Sequence, residues 1–98
     1  MKKLILSLAA TAALIGFSTT AEAAKLKVCF LYVGSKTDGG YTQGHDIGRQ
    51  MVDKELGDKV TTQYLENVAE GADAERAIER FARSGCKLVF TTSFGFMD

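Results

Sequence analysis

The sequence predicts an α/β fold: a small parallel sheet built as βαβαβ, with strand order 2-1-3. Three observations carry this prediction. An apolar run from Lys25 to Val33, broken only by Lys27, ends in the glycine-rich turn Gly34–Gly40. A segment with helical spacing follows that turn, and a second one follows the next β-rich run. The alternation of strand and helix then calls for right-handed crossovers, which place the second and third strands on either side of the first.

The first strand is read over Lys25–Val33, because a near-continuous apolar run suits a parallel strand buried on both faces. The first helix is read from Tyr41 or Thr42 to Leu56. Ile47, Met51, Val52 and Leu56 form its apolar stripe, and Gly44 and Gly48 on the same side are expected to allow close packing on the sheet. Gly57-Asp58 ends it. Val60–Leu65, rich in β-branched and aromatic residues, reads as an edge strand. The second helix is capped by Asp73 and carries Ala74, Ala77, Ile78, Phe81 and Ala82 at i, i+3, i+4 spacing, with Gly85 after its end. Lys87–Thr92 is the third strand. Three parallel strands leave sheet edges and faces uncovered, so residues 24–98 are expected to be the front part of a longer protein.

Residues 1–23 are read as a secretory signal. Lys2 and Lys3 precede the apolar run Leu4–Phe17, and Ala21-Glu22-Ala23 supplies the cleavage pattern. The apolar run is too short to be a good membrane span, which needs roughly 20 residues. No cysteine stands at the cleavage point, so a lipid anchor is not expected and a periplasmic location is. Without Lys2, Lys3 and Glu22, the twelve basic and twelve acidic side chains fall to ten and eleven. That balance gives no electrostatic footprint for nucleic acid.

Candidate chemistry gathers at the strand ends. The Gly34–Gly39 separation fits a nucleotide phosphate loop, but Gly40-Tyr41 stands where Lys-Ser/Thr is required. His45 is the lone histidine and has no second ligand at metal spacing, so it is read as a local or cleft-facing hydrogen-bonding group. No nucleophile elbow or carboxylate pair is marked; neither catalysis nor a cofactor is expected. Asp38, Gly39, Gly40, Tyr41, Thr42 and His45 after the first strand, with Ser93, Phe94 and Gly95 after the third, are the candidate ligand residues. Tyr41, Phe94 and Phe96 offer stacking surfaces, unless they pack the core. Asp38 either meets the ligand or braces the helix start, and its place between glycines favours the ligand. Cys29 sits mid-strand while Cys86 opens its strand, and that register argues for two free buried thiols over a bridge.

The stretches Lys27–Gly34, Asp38–Thr42, His45–Arg49, Leu65–Arg76 and Phe90–Asp98 together resemble the basic membrane protein family. These are substrate-binding proteins of ABC importers, a group that includes purine-nucleoside receptors. The resemblance implies a Rossmann-like, type I periplasmic-binding-protein fold of two lobes that close on a ligand. It implies a purine base or nucleoside as solute and an inner-membrane permease as partner. It assigns stacking and acidic contacts to Tyr41, Phe94 and Asp38, with polar and backbone contacts from Ser93 and Gly95. Two other readings stand beside it: an exported α/β enzyme with its catalytic residues further along the chain, and an inactive truncated product.

Overall fold

The computed structural model describes residues 24–98; the signal expected over residues 1–23 lies outside the described residues. The elements are β1 (Leu26–Leu31), α1 (Tyr41–Leu56), β2 (Val60–Leu65), α2 (Ala72–Arg83) and β3 (Leu88–Thr91), followed by a 3-10 turn at Phe94–Phe96. All pairings are parallel and the order is β2-β1-β3, as predicted. Leu26–Leu31 align with Val60–Leu65, and Val28–Leu31 with Leu88–Thr91. Among the described residues no helix is long and apolar enough to cross a membrane.

Side-chain alternation along β1 divides the core in two. Cys29 and Leu31 pack with Ala74, Ala77 and Phe81 of α2, and with Cys86 and Phe96. Val28, Phe30 and Tyr32 face the other way, towards α1, with Val60 and Tyr64 of β2. α2 starts one residue earlier than its expected cap: Gly71 holds that position at φ +85°, and Asp73 lies in the first turn, paired with Arg76. Gly85, at φ +95°, follows its end.

The packing of α1 corrects the sequence reading. Its apolar residues Ile47, Met51 and Leu56 are exposed, and Gly44 and Gly48 face open space. The helix turns Thr42 and Asp46 inward instead. The physical reason lies in the sheet beneath, which presents the hydroxyls of Tyr32 and Thr62. Covered polar groups need partners. The Tyr32 hydroxyl donates to Asp46 Oδ1 at 3.1 Å, and Arg49 Nε donates to the same oxygen at 2.7 Å. Gln50 donates to Asp46 Oδ2 at 2.9 Å. Thr62 Oγ1 accepts from Arg49 at 3.1 Å and donates to Asp53 at 2.7 Å. Arg49 and Lys36 each stand 4.7 Å from the centre of the Tyr64 ring, a cation–π distance. Burial, followed by the bond to Asp46, pushes the Tyr32 phenol well above its usual range. Burial would raise Asp46 as well, but hydrogen bonds from Arg49, Gln50 and Tyr32 outweigh it and hold the carboxyl below the ordinary range.

The two cysteines correct a second expectation. Cys29 and Cys86 form a disulfide, with Cα atoms 6.0 Å apart. Cys86 does not open β3, which starts at Leu88; it lies in the approach from α2, where its N–H bonds to Phe81 O. That approach crosses the face of the sheet onto which Cys29 points, so the bridge runs from strand face to connecting loop rather than across a strand pair.

Candidate functional site

Four connections between chain segments hold the carboxyl edge of the sheet. Asn67 N–H bonds to Gly34 O at 3.1 Å, and Lys36 N–H bonds to Glu66 Oε2 at 2.9 Å, so the β2–α2 loop is joined to the turn after β1. The Tyr41 hydroxyl donates to the Thr92 carbonyl, joining the start of α1 to the end of β3. Ser93 Oγ donates to Glu70 Oε1 at 2.8 Å, joining the end of β3 to the β2–α2 loop. The three strand ends therefore form one hydrogen-bonded rim. A rim fixed in this way meets a ligand without first having to be ordered.

Within the rim, Asp38 braces the start of α1. Its Oδ1 accepts from the N–H groups of Gly40 at 2.8 Å and Gln43 at 3.0 Å, and its Oδ2 accepts from Thr42 N–H at 3.0 Å. Gln43 Oε1 accepts from Gly39 N–H at 2.8 Å. Two of the donors that a bare helix start would offer to a ligand, the N–H groups of Thr42 and Gln43, are thus taken by the chain itself. Thr42 is 1% exposed, packed under the turn, and a Cβ on Gly34 would press on its hydroxyl at 3.1 Å. Gly34 is glycine because of that approach. Gly39, at φ +73°, and Gly40 are exposed.

The bonds from Gly40 and Gln43, joined by that from Thr42, hold the Asp38 carboxyl below the ordinary carboxylate range. A depressed folded-state value makes the cap's contribution complete above the unfolded value near 4 and lost as pH falls through the folded one. Amide exchange at Gly40, Thr42 and Gln43, corrected for intrinsic rates, should therefore quicken on acidification below about pH 4. Asp38→Ala should lower stability at neutral pH and remove that acid step. An unchanged acid profile in the variant would refute the cap.

The remaining candidates divide between surface and core. Tyr41 is 61% exposed despite its anchored hydroxyl, and its ring meets that of half-buried His45 edge-on, with centroids 4.7 Å apart. Phe94 is 86% exposed, whereas Phe96 is buried in the core. Ser93 is committed to Glu70, and Gly95 N–H bonds back to Ser93 Oγ at 3.3 Å. The structure thus brings the Asp38–His45 and Ser93–Gly95 stretches to one edge. Glu66 and Glu70, absent from the sequence-based candidates, prove to tie the rim together. No spacing rule marks them, because their partners lie 30 and 23 residues away and only the parallel order brings them close. Among the described residues no group of three or more His, Cys, Asp or Glu side chains is placed to hold a metal ion.

Exposed aromatic rings thus stand on a hydrogen-bonded rim at the carboxyl ends of parallel strands, the edge at which α/β sheets commonly bind ligands. The chain belongs to the Bmp family of PnrA-like ABC transporter substrate-binding proteins, whose model matches residues 25–98. It is 62% identical over 74 residues to a purine-binding protein of Brucella abortus, an alignment covering 76% of this chain and 21% of that protein. It is 34% identical over 77 residues to a Haloferax volcanii protein that carries the name of an ABC transporter glucose-binding protein, covering 79% of this chain and 19% of that one. The chain thus spans about a fifth of the length of these relatives.

Proposed function

We infer that the protein is the exported solute-binding component of an ABC importer, and that this chain supplies one side of a cleft for a purine base or nucleoside. The observation that carries this reading is the pair of exposed rings, Tyr41 and Phe94, on a rim that is already hydrogen-bonded. A purine is a flat π-surface edged with donors and acceptors, so stacking plus a few directed hydrogen bonds suits it. The likeness to a purine-binding relative at 62% identity supports the same ligand class. Residues 1–23 would direct export and be removed, a second lobe would close the cleft, and a membrane permease would receive the solute.

Native mass spectrometry of the protein from its own cells, followed by titration with adenine, adenosine, guanosine and glucose, tests this reading. A co-purifying purine, or saturable binding of a purine but not of glucose, is expected. Phe94→Ala should weaken that binding about tenfold or more, since stacking on a base is worth roughly 1–3 kcal/mol. Binding of glucose alone, which the second relative's name would suggest, would overturn the purine assignment. Binding of none of the four would overturn it as well.

A further inference from the structure

We propose that Glu70 is a positioning residue for Phe94, acting through the Ser93 hydroxyl; this rests on the reading of Phe94 as a ligand-stacking ring. Phe94 sits in a short span between two fixed points. Before it, Thr92 is buried, with its N–H and hydroxyl bonded to Leu31 O at 3.1 and 2.7 Å. After it, Phe96 is buried in the core. Residues 93–95 between them lead into the 3-10 turn Phe94–Phe96, closed by Phe96 N–H on Ser93 O at 3.1 Å and Met97 N–H on Phe94 O at 3.2 Å. One side chain from another loop ties the entry of that turn down. Ser93 Oγ donates to Glu70 Oε1 at 2.8 Å and accepts from Gly95 N–H at 3.3 Å, closing a serine turn around Phe94.

Gly95 gives an independent indication. A Cβ on Gly95 would fall on the Glu70 carboxylate itself. The absence of a side chain there is what lets the carboxylate lie against the turn. Because that carboxylate is the mobile end of a long side chain, Gly95→Ala would displace it rather than unfold the chain. Gly95→Ala should therefore reproduce the loss of Glu70. Ser93 takes on a different role from the one its position suggests, because its hydroxyl is engaged by Glu70 and it influences a ligand through the ring beside it.

Two measurements on the exported protein test the proposal. The first needs no ligand: the rate of chymotryptic cleavage after Phe94 under native conditions. Glu70→Ala, Ser93→Ala and Gly95→Ala should each raise that rate about tenfold, the effect of losing one charge-assisted hydrogen bond. Glu70→Gln keeps an acceptor oxygen without the charge and should cleave at a rate between those of the wild type and Glu70→Ala, a partial rescue that loss of general stability would not show. The second is the affinity for adenine and adenosine. Glu70→Ala and Ser93→Ala should each weaken binding about tenfold, and the double variant no further, since both break one relay. Unchanged cleavage in Glu70→Ala, or additive losses in the double variant, would overturn the proposal, the latter by placing Ser93 directly on the ligand. If the wild type binds no purine while the cleavage pattern holds, the clamp stands and the purine reading falls.

Discussion

Asp46→Ala should be among the most damaging single substitutions in the described chain, costing about 3 kcal/mol. Asp46 is 3% exposed, and removing its carboxylate leaves the Tyr32 hydroxyl without its acceptor and the largely buried Arg49 without its nearest counter-charge. The expense of a buried pair lies in bringing its charges out of water, and without Asp46 only the half-exposed Asp53, 3.1 Å from the guanidinium, would remain to offset it. Asp46→Asn keeps an oxygen for Tyr32 and should fall between wild type and alanine. Urea unfolding followed by circular dichroism at pH 7 would measure all three. A loss below about 1 kcal/mol for alanine would show that the network only decorates a helix held by other contacts. The network also predicts a two-sided pH response. The depressed Asp46 value makes its share of stability full above the unfolded carboxylate value and lost as acid takes pH through the folded one. The raised Tyr32 value has the opposite sense: its share is full below the ordinary phenol value near 10 and lost as pH rises through the folded one.

The consequence for binding is indirect but specific. α1 carries Tyr41 and His45 at its start, and the polar network is what seats that helix on the sheet. A helix held by directed bonds has one preferred rotation, whereas an apolar stripe on an apolar face tolerates several. The direction of the Tyr41 ring is thus fixed at both ends, by its hydroxyl on Thr92 and by Asp46 one turn further along the helix.

The sequence made some of this legible. Strand order followed from the alternation of elements, because parallel βαβ units allow few arrangements, and both helices fell close to their expected ends. The orientation of α1 was not legible from periodicity. Ile47, Met51 and Leu56 mark one stripe and Thr42, Asp46, Arg49 and Asp53 mark another, and hydrophobicity alone selects the first. The choice turns on Tyr32 and Thr62, which belong to other elements and whose hydroxyls face α1 only once register is set. Likewise, Asp38 between glycines resembles a ligand group, yet its carboxylate is met by three backbone N–H groups of the turn it introduces. Those local bonds follow from the conformation of the turn, which the spacing of residues did not reveal.

Breaking the Cys29–Cys86 bridge should have an effect of similar size. The bridge spans 57 residues of sequence, enclosing α1, β2 and α2. The entropy of closing a loop of that length corresponds to about 4 kcal/mol of stability. The cysteines lie among Leu31, Ala77 and Phe81, so alanine is a better replacement than serine, which would bury a hydroxyl there. Cys29→Ala/Cys86→Ala should lower the unfolding free energy by about 2–5 kcal/mol, read from urea midpoints at constant m-value. Denatured protein taken from the oxidising compartment should accept no thiol label until it is reduced, and two labels afterwards. Two labels without reduction would return the cysteines to the role their strand register suggested, small buried hydrophobes. The bridge fastens the middle of the centre strand to the approach of β3, and neither cysteine takes part in the rim bonds of Tyr41 and Ser93. Its loss should therefore lower stability while leaving ligand affinity within about twofold in protein that remains folded. Asp46→Asn should disturb both, because its helix begins at the rim.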